Sequence, residues 1–317
     1  MRTISNFVLF AVVGTSSVVG CSSSSENAAS DSTTTDSGTT SADTDGATAT
    51  SDSGSDATST ANGCTLAANT TASSVAAPSG CAVLARDTSA CSAARTAAGL
   101  SGFWLKFSCR VTLGMAGGNV TITSDGQPDY LSNYFASSNA CHEAYTGAIQ
   151  NPNTIAALSL SMQMPATPDT SSAKMNGGIV GVAINGVPIF GNFAAPGDDI
   201  FQEAATFDRC GGHPQQQGQY HYHSEPFALS YDDANLIGVM RDGYPVYGRK
   251  DADGSTPTLD SMGGHTGVTA DSPSAAVYHY HLNEQTSTSP GTAGQKQWFL
   301  TTGTYRGSAG SCTGCGM

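Results

Sequence analysis

The sequence predicts a mainly β fold: an antiparallel sheet domain with an internal two-fold duplication and few short helices. Three observations lead there. Segments such as Asn119-Val120-Thr121-Ile122-Thr123 alternate apolar and polar residues with the period of two that a half-buried strand requires. Apolar runs are broken by Asn185-Gly186 and Asp242-Gly243, strong short-range signals of a β-hairpin. The tetrapeptide Tyr-His-Tyr-His occurs twice, at 220–223 and 278–281, each time behind a Gly-Gly-His lead-in.

Taken from the N-terminus, Met1-Arg2 is a short basic end, and Phe7 to Val19 is an apolar run better suited to a secretory signal than to a bilayer span. Val18-Val19-Gly20-Cys21 resembles a lipoprotein processing site, although Val18 stands where leucine is usual. The expectation is therefore a signal peptide at 1–20, lipidation at Cys21, and export to the outer membrane or cell surface through that lipid anchor. From 21 to 62 the chain is rich in Ser, Thr, Ala, Asp and Gly and holds no aromatic residue. Such a segment cannot bury enough surface to offset its ordering entropy, so a disordered acidic tether is expected. The chain's net charge of -13 owes much to it. That acidity argues against nucleic acid as a partner, because no basic patch is present to displace counterions from phosphate.

The remaining stretch, about 250 residues, suffices for one large domain or two small ones. The cysteines beyond Cys21 are even in number: Cys64, Cys81, Cys91, Cys109, Cys141, Cys210, Cys312 and Cys315. In an exported chain this points to as many as four disulfides, with the pairing left open. Cys312-Thr-Gly-Cys315 reads either as a redox or soft-metal pair or as two separate staples of the tail, and the second is favoured because no β-α-β pattern surrounds it.

Residues 63–102 read as a cysteine-rich cap with one short helix near Ala90 to Ala98. A strand is expected from Phe103 to Leu113, another at 119–123 ending in the turn Ser124-Asp125-Gly126, and a third at Leu158 to Pro165. Next, Gly181-Val-Ala-Ile-Asn-Gly-Val-Pro-Ile-Phe-Gly191 matches Gly238-Val-Met-Arg-Asp-Gly-Tyr-Pro-Val-Tyr-Gly248, an offset of about 57 residues. The duplicated units run about 178–235 and 236–307. Type I′ turns are expected at both Asn-Gly and Asp-Gly. Two such units are expected to pair about a pseudo-two-fold axis, bringing their histidines together into one shared pocket.

The chain has seven histidines, and the two repeats hold six of them: His213, His221 and His223, then His265, His279 and His281. On a strand, residues i and i+2 face the same way, so each His-x-His pair can chelate one ion while its tyrosines face away. The Gly-Gly step lets His213 or His265 supply a third nitrogen. Three neutral imidazoles with an open position suit zinc, copper or iron, and all-imidazole ligation outside the cytosol favours copper over zinc. Interior histidines satisfied by hydrogen bonds are the competing reading. Asp208 and Asp260 stand five residues before the Gly-Gly-His histidines, placed either to orient imidazoles or to cap turns. Tyr220, Tyr222, Tyr278 and Tyr280 are expected to support the site from behind. Glu225 and Glu284 follow the motifs at unequal offsets and read as solvated loop positions, and His142 as a surface histidine.

These motifs, with Ser124-Asp-Gly-Gln-Pro-Asp-Tyr130, Asn151-Pro-Asn153 and Tyr305-Arg-Gly307, resemble the YHYH-domain family of exported bacterial proteins over roughly Phe103 to Gly307. The departures are few: His213 stands seven residues before Tyr220, His265 thirteen before Tyr278, and Met262 occupies the place of Cys210. The resemblance implies a domain and lends it no activity. No nucleophilic-hydrolase motif, phosphate loop or nucleotide fingerprint stands out. The functional expectation is a copper-binding protein or copper-dependent oxidoreductase. A zinc-dependent hydrolase and a non-catalytic surface module are the alternatives.

Overall fold

The computed structural model describes residues 60–61, 64–65, 80–81, 87–144, 151–195 and 198–315. The signal peptide, Cys21 and nearly all of the tether lie outside them. The tether was expected to continue to residue 62, but Thr60–Ala61 pairs antiparallel with Cys64–Thr65. Among the described residues, no helix is long and apolar enough to cross a membrane.

Eight strands build the central sheet: β1 (Ile179–Ala183), β2 (Pro188–Phe190), β3 (Gly212–Pro214), β4 (Tyr220–Tyr222), β5 (Leu236–Met240), β6 (Pro245–Tyr247), β7 (Gly264–Thr269) and β8 (Ser272–His281). Their order is β7-β8-β6-β5-β1-β2-β4-β3. Neighbours are antiparallel except β2 with β4 and β6 with β8, which run parallel. Mainly β is thus correct, and the sheet is mixed rather than purely antiparallel. β1 and β5 meet in the middle, with Gly238 opposite Ala183 and Gly181 opposite Met240. Every residue of both strands is buried, which explains their unbroken apolar runs. A second sheet, ordered Cys312–Thr313, Leu160–Pro165, Asn119–Ser124 and Thr112–Ala116, shares one apolar core with it. Val120, Ile122, Met162 and Met164 from that sheet and Val182, Val239 and Val246 from the central one are fully buried.

The central seam allows no side chain at Gly238, because a Cβ there would collide with the Val182 carbonyl oxygen and the Ala183 backbone. Neither obstacle can rotate away. Gly238→Ala is expected to destabilise the domain by about 3 kcal/mol, the scale of overpacking a rigid core, as read from urea denaturation. An unchanged midpoint would mean the seam is looser than described.

Both predicted hairpins form, but not with type I′ turns. Only the glycine has a positive φ, +91° at Gly186 and +89° at Gly243. Ala183 N donates to Val187 O and Gly186 N to Ala183 O, with the same pair of bonds at Met240, Gly243 and Tyr244. This is the three-residue loop with glycine in the left-handed position. It leaves the Asn185 and Asp242 side chains free to cap Val187 N and Tyr244 N and to bond tyrosines on the neighbouring strands.

Two further expectations are corrected, and the cysteine pairing left open by the sequence is decided. Gly102–Lys106 is a 3-10 helix rather than the start of a strand, and the strand begins only at Thr112. Trp104 and Phe107 both turn inward there, which an alternating strand would forbid, and buried Arg95 donates to the carbonyls of Phe107, Ser108 and Val111. The cap contributes the helix Ser89–Ala97, close to its expected place, but its cysteines pair outward: Cys64–Cys210, Cys81–Cys141 and Cys91–Cys109. An Ala/Ser-rich segment has little core of its own, so these bonds hold it to the domain. Cys312 and Cys315 bond to each other rather than stapling the tail separately. The tail is held instead by the pairing of Cys312–Thr313 with Met162 and Ser161.

Two histidine triads as candidate metal centres

The six motif histidines form two clusters, His213 with His221 and His223, and His265 with His279, His281 and Asp251. They do not meet in one pocket. β4 and β8 are five strand steps apart, about 24 Å along the sheet. β1 and β5 pair at the centre of the sheet, and the strand order places the histidine strands towards opposite edges.

Each triad follows from β-ladder geometry. His221 and His223 share a face by the period of two, and His213 lies directly across from His221 in the antiparallel β3–β4 ladder. On the other edge His265 is opposite His279 in the same way, and His281 follows two residues on. Nε2 of His221 is 3.1 Å from that of His213 and 3.0 Å from that of His223. In the second triad Nε2 of His265 is 3.1 Å from His279 and 3.2 Å from His281.

The outer nitrogens define the tautomers. Nδ1 of His221 contacts Gln219 O at 2.9 Å and Nδ1 of His223 contacts Gly191 O. In the second triad Nδ1 of His279 meets Val277 O and Nδ1 of His281 meets Gly248 O. A carbonyl only accepts, so each of these Nδ1 atoms carries the hydrogen and each neutral ring turns a bare Nε2 lone pair inward. His213 Nδ1 contacts Thr206 Oγ1, whose own hydrogen goes to Glu203 O. Burial pushes the His213 and His221 rings far below the ordinary histidine range, with neighbouring imidazoles adding to the effect. Burial also lowers His279 and takes His223 and His281 to about 4. Neutral lone pairs so close together repel unless a cation lies between them.

Asp251 completes the second cluster. Its Oδ1 is 3.0 Å from Nε2 of His265, 3.5 Å from His279 and 3.4 Å from His281. Five of the six separations among these four atoms are thus 3.0–3.5 Å, and the His279–His281 separation is within 4.8 Å. A regular tetrahedron with edges of 3.0–3.5 Å has its centre about 2.0 Å from each corner, close to the zinc–imidazole bond length. A tight turn sets the carboxylate in place: Asp251 N donates to Ser255 O and Gly254 N to Asp251 O. Glu203 is the carboxylate near the first triad, with Oε1 3.6 Å from His213 Nε2. Its Oε2 is buried without a hydrogen-bond partner, and burial, aided by Asp198, raises its pKa to about 7. Beside this triad is a cavity of about 90 Å3, walled by His221, His223, Glu203, Gln215, Phe193 and Ala194. Phe190 stacks on His221 at 3.9 Å.

The aspartates and tyrosines of the motifs act on the opposite face and do not orient imidazoles. Asp208 accepts from Cys210 N and Gly212 N, capping the Gly-Gly turn, and from the hydroxyls of Ser132 and Tyr220. Asp260 caps Met262 N and Gly264 N and accepts from Tyr278. Gly212 and Gly264 have no side chain where the rings of Tyr220 and Tyr278 cross to reach these carboxylates. Tyr222 bonds Tyr130 and Asn185, and Tyr280 donates to Asp242. The period of two forces this separation: tyrosines adjacent in sequence to the histidines must face away. Glu225 is not solvated but buried, paired with Arg249 and accepting from Asp232 N. Glu284 is exposed and pairs with Lys296. His142 is half-buried, contacts Phe135 O through Nδ1, and belongs to neither triad.

Asp251, Glu203 and Thr206 were not found by reading motifs, since all three lie outside them. One signal did exist for Asp251: it stands three residues past Gly248, the glycine whose carbonyl accepts from His281.

Fold and site together define a β-sheet protein with two imidazole clusters of metal-ligating geometry. Residues 161–257, a segment that spans β1 to β6 and the whole first triad, match the family model described as YHYH protein. No curated protein and no solved structure matches the chain.

Proposed function

We propose that this is an exported metalloprotein that binds two transition-metal ions, one in each histidine triad. One observation carries the reading: in each cluster one Nε2 lies 3.0–3.2 Å from the other two, and the rings whose Nδ1 is held by a backbone carbonyl turn a bare Nε2 lone pair inward. Copper is the ion we assign to the first triad, where the donors are all imidazole, and copper-dependent redox chemistry is the activity class that follows. The tetrahedral three-nitrogen, one-oxygen arrangement around Asp251 favours zinc in the second. Hydrolysis by zinc at the first triad is the second reading, favoured by the unpartnered Glu203 oxygen beside it, which suits a general base.

Export agrees with disulfide use, with Cys21 as the lipid anchor and residues 21–59 as the tether between membrane and domain. The common pairing pattern of the two half-sheets, together with the 57-residue sequence offset, supports an internal two-fold duplication. Elemental analysis of untagged protein is expected to return two metal equivalents per chain, and His221→Ala one. A metal-free wild type would leave a non-catalytic module with structural histidines. Electron paramagnetic resonance distinguishes cupric ion from silent zinc.

A further inference from the structure

We infer that the two centres are unequal: the first keeps a coordination position open to a small exogenous ligand, water or a small anion, and the second is closed by Asp251. This rests on the metal-binding reading above. Four protein donors fill a tetrahedral site, whereas three leave one position for a ligand.

The difference comes down to one position. Gly191 and Gly248 correspond, since each carbonyl accepts Nδ1–H from the last histidine of its triad. Three residues beyond Gly248 stands Asp251, and three beyond Gly191 stands Ala194. Asp251 places an oxygen 3.0 to 3.5 Å from all three Nε2 atoms of its triad. Ala194 has no donor, and it lines the cavity beside His221 and His223. The free space against the second triad is about 10 Å3, at the lower limit of what one water needs, roughly 10–15 Å3. The first triad faces about 90 Å3, room for a ligand of a few heavy atoms. Glu203 reaches only His213, at 3.6 Å, so it does not take the place of Asp251, and its free oxygen stands ready to hydrogen-bond an incoming ligand. The walls formed by Phe190 and Phe193 restrict that ligand to something small and compact.

The test uses cobalt(II) as the probe metal and azide as the probe ligand, followed by the cobalt visible absorption. Wild type loaded with two cobalt ions is expected to bind one azide. Ala194→Asp should take up two cobalt ions and weaken azide at least tenfold. Asp251→Ala should bind a second azide. Two cobalt ions with no azide, or with two azides, in the wild type would overturn the inequality while leaving metal binding intact. Failure of the wild type to take up cobalt would overturn the metal-binding reading and this inference with it. The wild-type stoichiometry decides the matter even if a variant fails to fold.

Discussion

Stripping the metal with a chelator is expected to lower the melting temperature by roughly 10 °C per centre. An ion that binds only the folded chain, at a thousand times its dissociation constant, adds about 4 kcal/mol. For a domain of this size each kcal/mol corresponds to about 2–4 °C. The argument for so large an effect lies in the empty clusters themselves. Once the cation is gone, the buried lone pairs of the first triad face one another, with His221 Nε2 3.0–3.1 Å from its two neighbours, and burial prevents the rings from relieving the repulsion by protonation. Scanning calorimetry with and without chelator measures the shift. Superimposable traces would show that the clusters hold no structural ion, and His221→Ala would then stabilise rather than destabilise the fold.

Acid is expected to unfold the metal-free protein well before it titrates most carboxylates. His223 and His281 fall from the ordinary 6.5 to about 4 because they are buried. As pH drops through that interval the unfolded chain binds protons that the folded chain refuses. Stability is therefore whole above about pH 6.5 and declines as pH falls towards 4, by about 3 kcal/mol for one such ring. His213, His221 and His279 are lowered too and act in the same direction. Bound metal competes for the same nitrogens, so the loss should begin at lower pH in the loaded protein. Urea midpoints at pH 7, 5.5 and 4 in the presence of chelator measure the slope. A flat profile would mean that the rings are open to water and free to charge.

The parts of the site that were legible in the chain are those governed by local geometry. His-x-His on a strand presents two imidazoles to one face whatever the rest of the fold does, and so turns the intervening tyrosines away. The hairpins at Asn185-Gly186 and Asp242-Gly243 were legible for the same reason, because a glycine with positive φ is a local demand. The turn type was not, since Asn185 and Asp242 take part in networks with Tyr222 and Tyr280, residues far along the chain. Phe103–Leu113 misled because its aromatic residues pack in a 3-10 turn against the core, and burial overrode strand propensity. For Asp208 and Asp260 both roles were open from spacing alone, and the Gly-Gly turns and tyrosines claimed them.

Residue order along single strands and turns already specified a mainly β chain, its hairpins, and two sets of three imidazoles, because these depend on contacts within a few residues or across one ladder. Strand order is a long-range property. It sent the two triads to opposite edges of one sheet, although nothing in the motifs distinguishes that outcome from a shared pocket. It also brought the carboxylate of Asp251, carried on a loop, onto the second triad while leaving a cavity beside Ala194 at the first. Loop paths are set by packing against the finished sheet, so the asymmetry between two nearly identical motifs emerges only once the chain has folded.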